Sequence, residues 1–510
     1  VARTVLSGVR VLDPDAPTGP ADVAIEDGRV VAVTPATPAG TDPAGTDLPG
    51  AVLTPAFVDA HVHATATGLL VDGLDLTACA SATQLLDAVA ARAAARPGAL
   101  VWGHGWQDTG WAVPDRAALD RAAAGAPVYL SRIDVHSALV SGALLDRAPG
   151  AVGAPGWSDG ALSADAHHHA RRAALAAVDG RARDAAQDAF LAAAARHGVG
   201  AVHECAGPDI SSVADLAALR ARPGGPDVVP YWGEAVTTAA DARDLLAATG
   251  AHGLAGDLFV DGSIGSRTAA LTEPYAGADP AAPDCRGRAY LDADAIAAHV
   301  AACSAVGAQA GFHVIGDAAT AALVAGFAAG LGRAGDPRSV THGVAHRVEH
   351  LEMVDAAQAA ELARLGVVAS VQPVFDALWG GPDGLYARRL GQRWRPMNPF
   401  AALEAAGVEL AFGSDAPVTP LGPWAAVAAA VEHRTPGSGL AFARALRAHT
   451  TGGHRAAGDR DPLAGRIVPG APASYALWDG LPDRGTAPRC LRTVQRGRVL
   501  HDELDGDLPG

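Results

Sequence analysis

The sequence predicts an α/β architecture: a (β/α)8 TIM barrel, a small β-sandwich domain built from both chain termini, and a large insertion after barrel strand 1. Three observations carry this expectation. Eight short apolar runs alternate with Ala-rich helical patterns through the middle of the chain, as repeated βα units require. Both ends read instead as strands and tight turns. The first two apolar runs lie about 140 residues apart, far beyond an ordinary βα connection, so that interval must fold as something of its own.

Near the start, Arg10-Val11-Leu12 and Asp22-Val23-Ala24-Ile25 read as strands. Glu26-Asp27-Gly28 is a hairpin turn signal leading into Arg29-Val30-Val31-Ala32-Val33. The stretch Pro35 to Pro49, rich in Ala, Thr, Gly and Pro, reads as loop. Towards the other end, Ser474–Trp478, Arg492–Gln495 and Arg496–Leu500 repeat the strand pattern. Residues 1–53 and 466–510 are therefore expected to form the small domain. The barrel takes 54–465, with an insertion subdomain over about 70–180 folded across its mouth. The barrel runs are Thr54–Asp59, Gly200–Cys205, Val228–Val236, Asp257–Asp261, Gln309–Val314, Arg347–Leu351, Val367–Gln372 and Glu409–Gly413. Helical patterns between them include Asp184–Arg196, Asp292–Val306, Asp317–Leu331, Asp355–Leu365 and Asn398–Ala406. Several open with Asp or Asn, whose side chains satisfy the free N–H groups of a first turn. The insertion has apolar runs of its own, Leu100–Trp106 and Val128–Ile133.

At 510 residues, with 49% hydrophobic and 18% charged, the composition is that of a globular enzyme with a large core. The net charge of −16 argues against a nucleic-acid partner, because neutralising phosphates needs a basic face. The 5 cysteines are scattered without a Cys-x-x-Cys pair, and no apolar run reaches membrane-spanning length. A cytoplasmic protein with a small-molecule substrate is expected, as a homodimer, with no membrane partner. There is no lysine: all 39 basic residues are arginine. A Schiff base, a lysine general base and a carbamylated lysine are thereby ruled out.

Polar residues cluster where the runs end, which is where a barrel of this kind places its chemistry. Run one ends in His61 and His63, two imidazoles one residue apart and so on one side of a strand. Run two ends Val202-His203-Glu204-Cys205, run five reaches His313, and run six ends Val348-Glu349-His350. Run eight leads into Gly413-Ser414-Asp415-Ala416-Pro417. Four histidines and an aspartate recurring at the same ends of different strands point to a metal site.

The chain resembles the amidohydrolase superfamily of metal-dependent hydrolases, and within it the amidohydrolase 3 branch that contains N-substituted formamide deformylase. The matching segments are Thr54–His63, Asp261–Leu271, His313–Asp317, Arg347–His350, Gly413–Pro417 and Gly465–Ser474. Trp102–Trp106 and Arg132–His136 are similar to the insertion of that branch. The match departs at Ser474, where relatives carry aspartate. The resemblance implies that His61, His63, His313, His350 and Asp415 hold one or two divalent ions, with zinc first among them. It implies that Asp415 moves the proton and that His350 takes part in catalysis. Many binuclear relatives bridge their ions with a carbamylated lysine; the equivalent position here is Asp257.

Three arrangements stay open. One ion sits on His61, His63, His313 and Asp415; or a second ion is bridged by Glu204 or Asp257; or Cys205 ligates. Strand alternation puts Glu204 opposite His203 and Cys205, and Glu204 is the favoured bridge. Arg132, His136 and Gln372 are the candidates for substrate contact, with His104 behind them. His167-His168-His169 reads as solvated helix surface, and His342 and His346 as structural. The expected reaction is hydrolysis of an amide, formamide or cyclic amide C–N bond by metal-activated water, with Asp415 as general base and acid. Heterocycle deamination is the alternative, disfavoured because Gly316 stands where such deaminases carry glutamate. A non-catalytic scaffold is the third reading.

Overall fold

The computed structural model describes residues 3–37, 45–71, 73–108, 110–334, 345–483 and 486–504. Eight parallel strands form the central sheet: β1 (Phe57–Val62), β2 (Val199–Ala206), β3 (Asp227–Trp232), β4 (Gly253–Leu254), β5 (Gln309–Val314), β6 (Arg347–His350), β7 (Val368–Val371) and β8 (Leu410–Phe412). Neighbours in sequence are neighbours in the sheet from β1 to β8. Closure between β8 and β1 is made past the strand ends, where Asp415 N donates to His61 O and His63 N to Ala416 O, at 2.8 and 2.9 Å. A side chain at Gly413 would not fit there, since a Cβ would lie 2.6 Å from His61 N. Apolar side chains on the outer face, among them Phe57, Val202, Phe312, Val348 and Phe412, pack under the helices.

The sequence placed β4 four residues late. Gly253–Leu254 carries the pairing, and the run Asp257–Asp261 continues past the sheet, with a backbone bridge between Phe259 and His313. Three main-chain N–H groups, of Ala270, Ile315 and Gly316, hold Asp261 within that segment. Asp257 is thereby lifted off the strand and into the mouth. Two helix starts agree with the acidic caps: Asp292 accepts from Ala295 N, and Asp355 forms a reciprocal capping box with Gln358. The helix read from Asp184 starts earlier, capped by Asp179, and the one read from Asn398 starts at Phe400 after Pro399.

Strands from both ends build one further sheet with its own core, including Leu6, Val23, Leu53, Leu477 and Val494. Val52–Pro55 pairs with Tyr475–Trp478, so Thr54 and Pro55 belong here and not to the barrel run in which they were read. Within the expected loop at 35–49, Gly45–Asp47 is a strand and 38–44 lie outside the described residues. The insertion forms a five-stranded sheet from Leu74 to Ser163, followed by the helix Ala164–Ala176. Among the described residues no helix is long and apolar enough to cross a membrane.

Candidate metal centre and active site

His61 and His63 leave the end of β1 on the same side, as their spacing requires. His61 Nε2 lies 3.4 Å from Asp257 Oδ1 and 3.5 Å from Asp415 Oδ1. His63 Nε2 lies 3.2 Å from Asp257 Oδ2 and 3.1 Å from Asp415 Oδ1. His313 Nδ1 and His350 Nε2 approach Asp257 Oδ1 at 3.5 and 3.6 Å. All six side chains are buried. Burial works to raise both carboxyls, but His61 and the other imidazoles hold Asp257 and Asp415 below the usual carboxylate range.

Three of the histidines have their outer nitrogen fixed by an atom that can only accept. His61 Nδ1 donates to Glu349 Oε2 at 3.0 Å, His313 Nε2 to Gly262 O at 3.2 Å, and His350 Nδ1 to Gln372 Oε1 at 2.7 Å. Each ring therefore presents a bare lone pair inward, the arrangement metal-ligating histidines adopt. His61 Nε2, His313 Nδ1, His350 Nε2, Asp257 Oδ1 and Asp415 Oδ1 have no hydrogen-bond partner among the described residues. Buried polar atoms are normally paired, so this convergence fits cations at their common focus. Two sets of donors, His61–His63–Asp257 and Asp257–His313–His350, each lie within 4.8 Å and share Asp257.

The backbone bends to achieve this. Val348 points outward into the core, so alternation would send His350 outward too. A left-handed φ of 70° at His350 turns its ring back to the mouth, and Asp415 sits at φ 54°. Such conformations cost on the order of 1–3 kcal/mol each and persist where the surroundings over-determine them. Beneath the cluster, Glu349 is clamped by Arg347 at 2.6 Å, and Arg347 also meets His203 Nδ1 at 2.9 Å and the Tyr231 ring. This buried network holds the proton on His61 Nδ1.

Three site residues read from the sequence fall elsewhere. Glu204 points away from the cluster, because His203 and Cys205 take the inward side of β2; its Oε2 accepts from Ala64 N at 2.8 Å, at the start of helix α1 (Ala64–Val71). Burial pushes its carboxyl up to about 7. Glu204→Gln is accordingly expected to leave metal content unchanged in elemental analysis, while lowering unfolding free energy in denaturant by about 1 kcal/mol through the weakened cap. Gln372 holds His350 and does not line the cavity. Arg132 is locked between Asp108 and Asp134, each at 2.9 Å and both within the insertion; Asp134 in turn accepts from Ser263 Oγ and Ser266 Oγ of the segment after β4. Cys205 faces inward beside His61 and Glu349, with burial pushing its thiol up to about 12.

The cavity over the cluster is lined by His63, Asp257, His313, His350 and Asp415 below and by the insertion above. His136 is there as expected, its ring 5.2 Å from that of His313. Burial and the neighbouring His313 push it down to about 3. His104 lies off the cavity, 2.9 Å from Ser131 Oγ. The histidine run is not solvated surface. Helix α2 (Ala164–Ala176) lies across the mouth, so His167 and His168 line the cavity and only His169 turns to Arg172. His346 is structural, bonded to Ser304 Oγ and Ala310 N, and His342 lies outside the described residues. The sequence reading passed over Glu352 and Arg171, which also line the cavity. Arg171 stands four residues after His167, on the same helix face, which is the signal that pointed to it.

The chain is similar to a known family and to known proteins along most of its length. The amidohydrolase family matches residues 45–501. YtcJ of Bacillus subtilis, named as an amidohydrolase, is 26% identical over 420 residues, 75% of this chain and 74% of its own. An imidazolonepropionase of Anaeromyxobacter is 33% identical over 165 residues, 30% of this chain and 34% of its own. Among solved structures, an uncharacterized metal-dependent hydrolase from Pyrococcus furiosus has TM-score 0.70 at 23% identity, covering 94% of this chain and 99% of that one. With the barrel, the strand-end donors and this family match together, the chain belongs to the amidohydrolase family of metal-dependent hydrolases.

Proposed function

We propose that the chain hydrolyses a C–N bond of amide, formamide or cyclic amide type in a small molecule, with Asp415 as general base and then general acid. The observation that carries this reading is the convergence of unpaired imidazole nitrogens and carboxylate oxygens at the barrel mouth. Four imidazoles and two carboxylates suit zinc. His61, His63 and Asp257 would hold one ion and Asp257, His313 and His350 a second, Asp257 standing between them in the role first given to Glu204. A bound divalent ion supplies acidity to water and polarises a carbonyl.

The protein's own groups do the rest. The Asp415 carboxylate, charged at neutral pH, takes a proton from the attacking water and passes it to the leaving nitrogen. His136, neutral in its buried position, is placed to donate to the carbonyl oxygen as negative charge develops there. Phe375, Trp379, Leu385 and Val418 wall the cavity and exclude bulk water. The test is a metal-reconstituted screen of formamides, N-acyl amino acids, cyclic amides and aminated heterocycles, with amine, formate and ammonia assayed separately. Amine release is expected. Ammonia from the heterocycles alone would replace hydrolysis by deamination, and no turnover with zinc, manganese, iron or cobalt would favour the scaffold.

A further inference from the structure

Arg171 is the side chain in this cavity that the chemistry above does not use. It is 4% exposed and lines the same cavity as the metal-centre residues. Among the described residues it has no ion pair, hydrogen bond or ring partner. That is conspicuous in a chain with 55 acidic side chains against 39 arginines. The acids that act on the neighbouring His167 and His168 are committed: Asp165 to Arg288 at 2.9 Å, Asp209 to Arg172 at 2.6 Å, and Asp134 to Arg132 at 2.9 Å. A buried guanidinium without a counter-charge destabilises a fold, so its retention at a cavity wall asks for an anion from outside.

Two more donors sit beside it on α2. His167 and His168 lie four and three residues before Arg171, in reach of the same ligand. The Nδ1 atoms of both are buried without partners. The Tyr129 hydroxyl is 2.8 Å from His167 Nε2; when the phenol donates, the His167 proton is left on Nδ1, an atom buried without a partner in a residue that lines the cavity. One fixed positive charge flanked by two neutral imidazoles matches a singly charged, planar acceptor better than a phosphate, which calls for more cationic charge. The remaining wall, with Phe375, Trp379 and Leu385, is apolar.

We propose that Arg171, flanked by His168 and His167, is a carboxylate-recognising subsite, and that the substrate is a small apolar amide bearing one free carboxylate. This rests on the hydrolytic reading for the bond that is cut, and on Arg171 alone for the class of molecule. The probes are N-acetyl-leucine and its neutral carboxamide, both racemic, titrated calorimetrically into the metal-loaded wild type, Arg171→Met and Arg171→Lys. The wild type is expected to bind the carboxylate about 30-fold more tightly than the carboxamide, the worth of one charge-assisted bidentate contact. The preference should vanish in Arg171→Met and return in part in Arg171→Lys. Ligand-free Arg171→Met should melt no lower than wild type, whereas a purely structural arginine would lower the melting temperature. Equal wild-type affinity for the two probes overturns the subsite even if neutral formamides are cleaved. An Arg171-dependent preference with no turnover of any formamide, N-acyl amino acid or cyclic amide in the screen above keeps the subsite and sinks the hydrolytic reading.

Discussion

Asp415→Asn is expected to lower kcat by about three orders of magnitude, in the range that loss of a positioned general base gives. The replacement keeps the shape of the side chain and can still offer a carbonyl oxygen to His63, whose Nε2 now lies 3.1 Å from Asp415 Oδ1. It cannot hold a proton between water and the leaving nitrogen. The residue is anchored through its backbone, with Asp415 N donating to His61 O, so the strand closure should survive and the melting temperature should stay within a few degrees. Steady-state kinetics on any substrate found by the screen, beside a thermal melt, checks both halves. Near-normal turnover in a folded variant would remove Asp415 from the mechanism.

Asp257→Asn should have the other large effect, on metal and not on proton transfer. Among the described residues, Asp257 is the acid that lies within 3.2 to 3.6 Å of all four histidines. Two of the four candidate donor sets among these residues include it, the others being His61–His350–Asp415 and His61–Cys205–Glu349. In the two-ion arrangement proposed above, neutralising it would take an anionic ligand from both ions at once. We expect metal affinity to fall by about 100-fold or more, at or beyond the upper end of what losing even an outer-sphere partner costs. Chelator competition followed by elemental analysis reads this directly, and full metal content in Asp257→Asn would mean that the ions are held without it. The contrast with Glu204→Gln separates the two acids that the sequence left open.

Much of this was legible beforehand because it depends on spacing. The barrel followed from alternating runs, and His61, His63, His313, His350 and Asp415 from their places at strand ends. What the sequence hid depends on backbone direction. Glu204 looked correctly placed on β2, yet alternation gave the inward side to His203 and Cys205. Asp257 stayed open as a bridge behind the favoured Glu204, its run read as a strand, when β4 ends at Leu254 and the chain lifts off into the mouth. His350 reaches the site only through a left-handed turn that no local pattern announces. The run His167-His168-His169 was misjudged because polar composition does not say what a helix lies against, and α2 lies over the cavity.

The sheet shared by both ends of the chain constrains the order in which the site can mature. Val52–Pro55 runs directly into β1, and its sheet neighbour is Tyr475–Trp478, with Leu53 opposite Leu477 and Trp478 Nε1 on Thr54 Oγ1 at 3.0 Å. β1 also closes against β8. The early histidines are therefore held in place by segments that leave the ribosome hundreds of residues later. Loop closure over such separations is slow, and exposed strand edges must wait for it. A nascent chain can pair β1 with β2 early, but the edge of β1 that faces β8, beside His61 and His63, stays open until the segment around Ala416 exists.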